Sequence, residues 1–209
     1  MPSPSAPPSR ARVVLLCGPS GAGKSRLAQQ LHARHGWPVI ALDHFYRDVD
    51  DPGLPRQASL GIVDWDDPAS WDAGGAEAAL MALVETGSTR IPVYDLATSR
   101  RTGVTELTSR SIDLLLAEGI FAAELVDRLQ RAGLLHSAWC VRGNRVVTMV
   151  RRFARDLSEG RKPPRVLARR GWALMRAEPE VVAHAEALGA RPVSQSMLAR
   201  TLEAGASHG

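Results

Sequence analysis

Eight residues near the start constrain this chain more than any others: Gly18-Pro19-Ser20-Gly21-Ala22-Gly23-Lys24-Ser25. Three glycines let the backbone curl until successive N–H groups point at one anion. The apolar run Arg12-Val13-Val14-Leu15-Leu16-Cys17 before them reads as a buried parallel strand. Arg26-Leu27-Ala28-Gln29-Gln30-Leu31 after them reads as a helix, with Leu27, Ala28 and Leu31 on one face. Gly, four residues, then Gly-Lys-Ser between strand and helix is the pattern of a phosphate-binding loop. The helix N-terminus aims the positive end of its dipole at the same anion. Lys24 is able to reach terminal phosphates and the Ser25 hydroxyl to ligate Mg²⁺. Gly18, Ser20, Gly21, Ala22, Gly23, Lys24, Ser25 and Arg26 are therefore the expected nucleotide-binding residues.

The remaining bounds are looser. At 209 residues the chain suits one α/β domain with a small lid. Its net charge of +4 rests on arginine, because Lys24 and Lys162 are the only lysines. Arginine suits forked phosphate contacts, yet the same excess arises from compositional bias. Cys17 and Cys140 lie in apolar strands without metal-ligand spacing, which predicts buried reduced thiols and a cytoplasmic setting. No apolar run approaches the roughly 20 residues that span a bilayer. Residues 1–11, rich in Pro and Ser, read as a disordered tail and no signal peptide.

Along the chain, Gly36 closes the first helix and Pro38-Val39-Ile40-Ala41-Leu42 forms a second strand that delivers Asp43-His44-Phe45-Tyr46 at its C-terminal end. In a parallel sheet, that edge is where ligands bind. A carboxylate there accepts a proton from an acceptor hydroxyl or holds Mg²⁺ through water; on position alone, Asp43 serves equally as a helix N-cap. Asp64-Trp65-Asp66-Asp67-Pro68-Ala69-Ser70-Trp71-Asp72 reads as a loop able to fold over a substrate with Trp65 as a stacking face, its two tryptophans docking to a ligand or to the core. Asp72 alternatively caps a helix over Ala76 to Glu85. Arg90 to Leu96 and Gly103 to Leu107 are extended pieces around a basic turn. Ile112 to Ala117 is a buried strand ended by Glu118, an acidic residue placed to hold Mg²⁺ through water. Ala122 to Ala132 is helical, Ser137 to Val141 is a strand, and Arg145 to Asp156 is a helix rich in arginine. A short strand is expected near Ala190 to Val193, with fraying from Arg200.

Together these pieces resemble the uridine kinase and phosphoribulokinase family of phosphate-loop kinases. The likeness rests on the Gly18 to Ser25 loop, Asp43-His44-Phe45-Tyr46-Arg47-Asp48, the Trp65 to Asp72 segment, Ile91-Pro92-Val93-Tyr94-Asp95 with Thr98 to Arg101, Glu118-Gly119-Ile120-Phe121, and Arg151 to Asp156 with Gly160-Arg161. It covers roughly residues 12 to 162. The resemblance implies a three-layer α/β/α fold with a central parallel sheet over 12–200, a substrate-side insertion at about 44–106, an arginine-rich lid at about 151–165 and a flexible end from 201.

It also implies ATP and Mg²⁺ as cofactors and a nucleoside or other small sugar-like acceptor as partner. Lys24 would contact the phosphates, and Ser25 and Glu118 would position the metal. Asp43 would deprotonate the acceptor, and Arg152, Arg155 and Arg161 would close on phosphates. Tyr46, Trp65, Asp66, Tyr94, Ser99 and Arg101 would line the acceptor pocket, where Ser99 stands in place of a base-reading His. No membrane or nucleic-acid partner is expected, and a homo-oligomer is compatible with the family. The alternative is a nucleotide-binding ATPase or regulatory module of the same fold without an acceptor.

Overall fold

The computed structural model describes residues 12–58, 61–109, 113–143 and 179–206. Five parallel strands form the central sheet: β1 (Arg12–Cys17), β2 (Val39–Ala41), β5 (Leu114–Glu118), β6 (Leu135–Arg142) and β7 (Arg191–Ser194). Their spatial order is β2-β5-β1-β6-β7, with the strand that feeds the glycine-rich loop at the centre. β3 (Ser88–Asp95) and β4 (Arg100–Thr108) pair antiparallel as a separate hairpin.

The alternation along β1 explains the layers. Val13, Leu15 and Cys17 enter one apolar cluster, while Val14 and Leu16 enter the other. A strand buried on both faces needs an unbroken apolar run, as parallel strands between helices do. Each fully buried Leu or Val contributes about 1.5–3 kcal/mol. On one face lie α1 (Lys24–His35), through Leu27, Ala28 and Leu31, and α5 (Gln195–Ala206), through Leu198 and Leu202. On the other lie α2 (Ala73–Thr86), α3 (Val126–Arg131) and the helical residues 179–187 (α4).

The helix boundaries follow local chemistry. Gly36, at φ 71°, returns its N–H to His32 and ends α1, as the sequence suggests. Asp72 caps α2 by accepting from the Gly75 N–H at 2.8 Å, which starts that helix three residues before the expected Ala76. α5 runs on to Ala206 past Arg200, where fraying is expected, because Leu202 is buried against the sheet and Glu203 pairs with Arg34 of α1 at 2.7 Å. Cys17 and Cys140 are buried free thiols, aligned across β1 and β6. Among the described residues no helix is long and apolar enough to cross a membrane. The arginine-rich helix and the lid at about 151–165, with Arg152, Arg155 and Arg161, lie outside the described residues.

Candidate active site

Strand register brings the expected donor residues to one edge. Glu118 sits opposite Leu16 of β1 and Ala41 of β2, so the end of β5 is level with the start of the glycine-rich loop and with Asp43. Gly18 adopts φ 124°, and a Cβ there would lie 2.6 Å from the Val141 carbonyl, so only glycine fits at this crossing of loop and β6. Gly21 and Gly23 also take positive φ, at 82° and 88°. Gly119 has a related task. A Cβ on it would meet the Asp43 carboxylate at 3.1 Å and Leu42 at 2.9 Å, so its bareness lets the two strand ends close.

Lys24 is buried, and its ammonium donates to the carbonyls of Gly18 at 2.8 Å and Pro19 at 3.2 Å across the loop. Burial pulls its pKa below the ordinary lysine range, while Asp43 and then Glu118 pull the other way. Glu118 mirrors this. Burial raises its pKa, and Lys24 and a hydrogen bond from Ser25 lower it. Lys24, Asp43, Ser25 and Glu118 thus act on one another in a single cluster. Asp43 itself is exposed in the first turn of a short 3₁₀ segment (Leu42–Phe45) whose N-cap is Ala41. The capping alternative for Asp43 therefore falls away, and its carboxylate is left to face the cluster.

Next to Asp43 is an aromatic wall. Tyr46 packs against Trp65, Tyr94 and Phe121 at ring distances of 5.8, 5.8 and 5.9 Å. Burial raises the Tyr46 phenol pKa, and the negative charges of Asp43 and Asp66 add to it. The two tryptophans divide the tasks left open in the sequence. Trp71 docks to the core, buried with its indole N–H donating to the Leu42 carbonyl at 2.8 Å, whereas Trp65 remains half-buried beside Tyr46.

The hairpin supplies the last predicted residues. Tyr94 is buried and its hydroxyl donates to the Arg47 carbonyl at 3.1 Å. Ser99 stands at the hairpin turn with φ 54°, its carbonyl accepting from Val49 N–H at 2.9 Å. Arg101 is braced: its backbone N–H donates to Asp48 at 2.6 Å, and its guanidinium to the Tyr46 carbonyl at 3.2 Å and Asp72 at 3.3 Å. A cleft of about 440 Å³ beside it is lined by Arg47, Asp48, Asp50, Asp51, Asp72 and Arg101. Of the nucleotide-binding set, Ser25 and Arg26 are exposed at the first turn of α1, while Ala22 is buried. No motif pointed to Gln195, whose side-chain amide donates to the Ala22 carbonyl from a position 173 residues further along.

Comparison with known proteins agrees with this geometry. The family described as AAA domain matches residues 13–138. The uridine kinase of Saccharomyces cerevisiae is 28% identical over 153 residues, covering 71% of this chain and 30% of that protein. The inorganic pyrophosphatase TTM2 of Arabidopsis thaliana is 30% identical over 159 residues, covering 74% of this chain and 21% of that protein. The chain therefore spans less than a third of the length of these curated relatives. Among solved structures, a putative fructose transport system kinase from Silicibacter sp. TM1040 superposes with a TM-score of 0.56 at 20% identity, over 91% of each chain. That last likeness establishes the fold.

Proposed function

The chain belongs to the AAA-domain family of phosphate-loop proteins, with uridine kinases as distant relatives, and from that premise we propose that it transfers the terminal phosphoryl group of ATP to a hydroxyl of a nucleoside or another small sugar-like molecule. One observation carries the reading: Asp43 stands at the phosphate loop, acting on Lys24, with the Tyr46, Trp65 and Tyr94 wall directly beside it. A nucleotide-binding loop needs no such wall for hydrolysis alone.

The chemistry divides among these residues. The loop N–H groups and Lys24 would bind the phosphates, and Asp43 would take the proton from the acceptor hydroxyl. The acceptor oxygen then bonds to the γ-phosphorus as the bond to the bridging oxygen of ADP breaks. Positioning and charge stabilisation supply most of the rate in such transfers. The Ser25 hydroxyl, which lowers the Glu118 pKa, and the Glu118 carboxylate are the hard oxygen donors that fit Mg²⁺, which when bound would neutralise phosphate charge. Tyr46, Asp66 and Tyr94 would hold the acceptor, with Asp66 gripping its hydroxyls. Arg152, Arg155 and Arg161 are proposed to close on the phosphates.

The test is a thermal-shift panel of nucleosides and phosphorylatable sugars in the presence of a non-hydrolysable ATP analogue, followed by product analysis with ATP. A true acceptor at 100 times its Kd should add about 2.7 kcal/mol of stability and yield a phosphorylated product. ATP hydrolysis that no acceptor alters would overturn the kinase reading in favour of an ATPase.

A further inference from the structure

The sequence resemblance ends near residue 162, yet the segment that follows reaches back to the phosphate loop. β7 (Arg191–Ser194) lies beside β6, and α5 begins where it ends. Ser194 fixes that start by accepting from the Met197 N–H at 3.4 Å. α5 then runs alongside α1, with Leu198 and Leu202 in the shared core and Glu203 paired to Arg34 at 2.7 Å near the far end of α1. This docking leaves Gln195 little freedom. Its amide donates to the Ala22 carbonyl, and its carboxamide fills the space a Cβ on Gly23 would need.

We propose that Gln195 is a positioning residue for the nucleotide phosphates, acting through the Ala22–Gly23 peptide of the loop. A trans peptide is planar, so its C=O and N–H point to opposite sides. Holding the Ala22 carbonyl on the Gln195 side turns the Gly23 N–H to the other, where it donates to phosphate. Without the anchor the peptide is free to flip, because Gly23 at φ 88° tolerates conformations on both sides of φ zero. A flipped peptide would present a carbonyl oxygen to an anion. The Ala22 N–H is fixed independently by the Pro19 carbonyl at 3.2 Å, so Gln195 controls the one remaining end of that residue. No motif could reveal this, since Gln195 lies outside the residues matched to the family. The inference rests on the nucleotide-binding part of the proposed function and on no particular acceptor.

Gln195→Met removes the donor at similar size, and Gln195→Glu replaces it with an isosteric acceptor. Ser196→Glu controls for added charge. Binding of a non-hydrolysable ATP analogue, of inorganic tripolyphosphate and of adenosine is measured by calorimetry, with the unliganded unfolding midpoint recorded for each variant. The expected result is about five- to tenfold weaker binding of analogue and tripolyphosphate by Gln195→Met, the size of one lost hydrogen bond, and at least as much for Gln195→Glu. Adenosine binding, the unfolding midpoint and all Ser196→Glu values stay within twofold or 2 °C of wild type, to the order of ordinary surface substitutions. Phosphate affinity equal to that of wild type in both Gln195 variants overturns the proposal. So does an equal loss for adenosine, or unfolding of both variants, because Gln195 would then support the fold rather than the loop. Wild-type protein that binds the analogue but phosphorylates no acceptor refutes the kinase reading alone; wild-type protein that binds neither analogue nor tripolyphosphate refutes both.

Discussion

The phosphate-loop edge and the hairpin beside it are built to different standards. Around Gly18, Lys24 and Glu118, β1 and β5 are buried on both faces and the backbones approach until no side chain fits at Gly18. In the hairpin, β4 is exposed along nearly its whole length, and a Cβ on Gly103 would meet nothing within 4 Å. The donor side of a phosphoryl transfer is the same whatever the acceptor, so it tolerates rigidity. The acceptor side must fit one molecule, and loops on a scaffold are where such differences accumulate. The contrast predicts that substitutions at the edge act on chemistry and folding, while those at the hairpin act on acceptor affinity.

The sharpest test is Asp43→Asn, which keeps size and removes the proposed base. It should lower kcat by about 10²–10⁴-fold, the usual worth of general base catalysis, while binding of an ATP analogue stays unchanged. Steady-state kinetics beside calorimetry checks this. Retained kcat would move Asp43 out of the chemistry and leave the donor cluster as a binding site alone.

Next in size is Glu118. Burial raises its pKa, so its carboxylate protonates at a higher pH than an ordinary glutamate near 4.5. Only the ionised form attracts a cation, so Mg²⁺-dependent nucleotide binding should weaken as pH falls through a midpoint above that ordinary value. Glu118→Gln should abolish the pH dependence and cost about 10–100-fold in Mg²⁺ affinity. The sign for folding is the reverse: a raised carboxyl pKa means the ionised form costs stability, present as a penalty above the folded pKa and relieved below it. Thermal unfolding against pH reads that arm, and a flat profile in both measurements would break the proposed link between Glu118 and Lys24.

Much of the edge was legible in sequence; of the hairpin, the two extended pieces and the turn between them were legible, but not the contacts that tie it to the rest. The loop, β1, α1 and the Glu118 strand end announce themselves because glycines, an apolar run and a helical period act locally and agree with one another. Asp43 follows the C-terminal end of β2, the position at which the simple rule for parallel sheets singles it out. Trp65 was singled out as the stacking face, but the docking of Trp71 was not legible, because its contact with the Leu42 carbonyl joins residues 29 positions apart. Arg101 was expected to line the acceptor pocket from a basic turn. In the structure it is braced by Asp48, Asp72 and the Tyr46 carbonyl, partners more than 25 residues away. Gln195 was invisible for the same reason at greater range. The fold end was underestimated too: helical spacing places Leu198 and Leu202 on one face, but only the neighbouring α1 gives that face something to bury.

Two glycines allow the regions to be compared with one substitution. Gly18→Ala must accommodate a φ of 124° and a Cβ 2.6 Å from the Val141 carbonyl. Strain of this kind costs about 1–3 kcal/mol, and in a chain of this size each kcal/mol lowers Tm by about 2–4 °C. Gly103→Ala enters open space and should shift stability by no more than about 0.5 kcal/mol. Equal Tm losses for the two would mean that the hairpin is as tightly built as the edge.

The smallest effect expected is at Tyr94, on the boundary between the two regions. Its hydroxyl donates to the Arg47 carbonyl at 3.1 Å and its ring packs on Tyr46 at 5.8 Å, so it ties the hairpin to the aromatic wall without reaching the phosphate loop. Tyr94→Phe keeps the ring and removes one hydrogen bond, worth about 1 kcal/mol net. The acceptor KM should therefore rise about fivefold, with kcat and the KM for ATP unchanged because Lys24, Asp43 and Glu118 keep their places. A fall in kcat at constant acceptor KM would show instead that the hairpin helps to set the geometry of transfer, and the division between a chemical edge and a recognising hairpin would have to be redrawn around Tyr94.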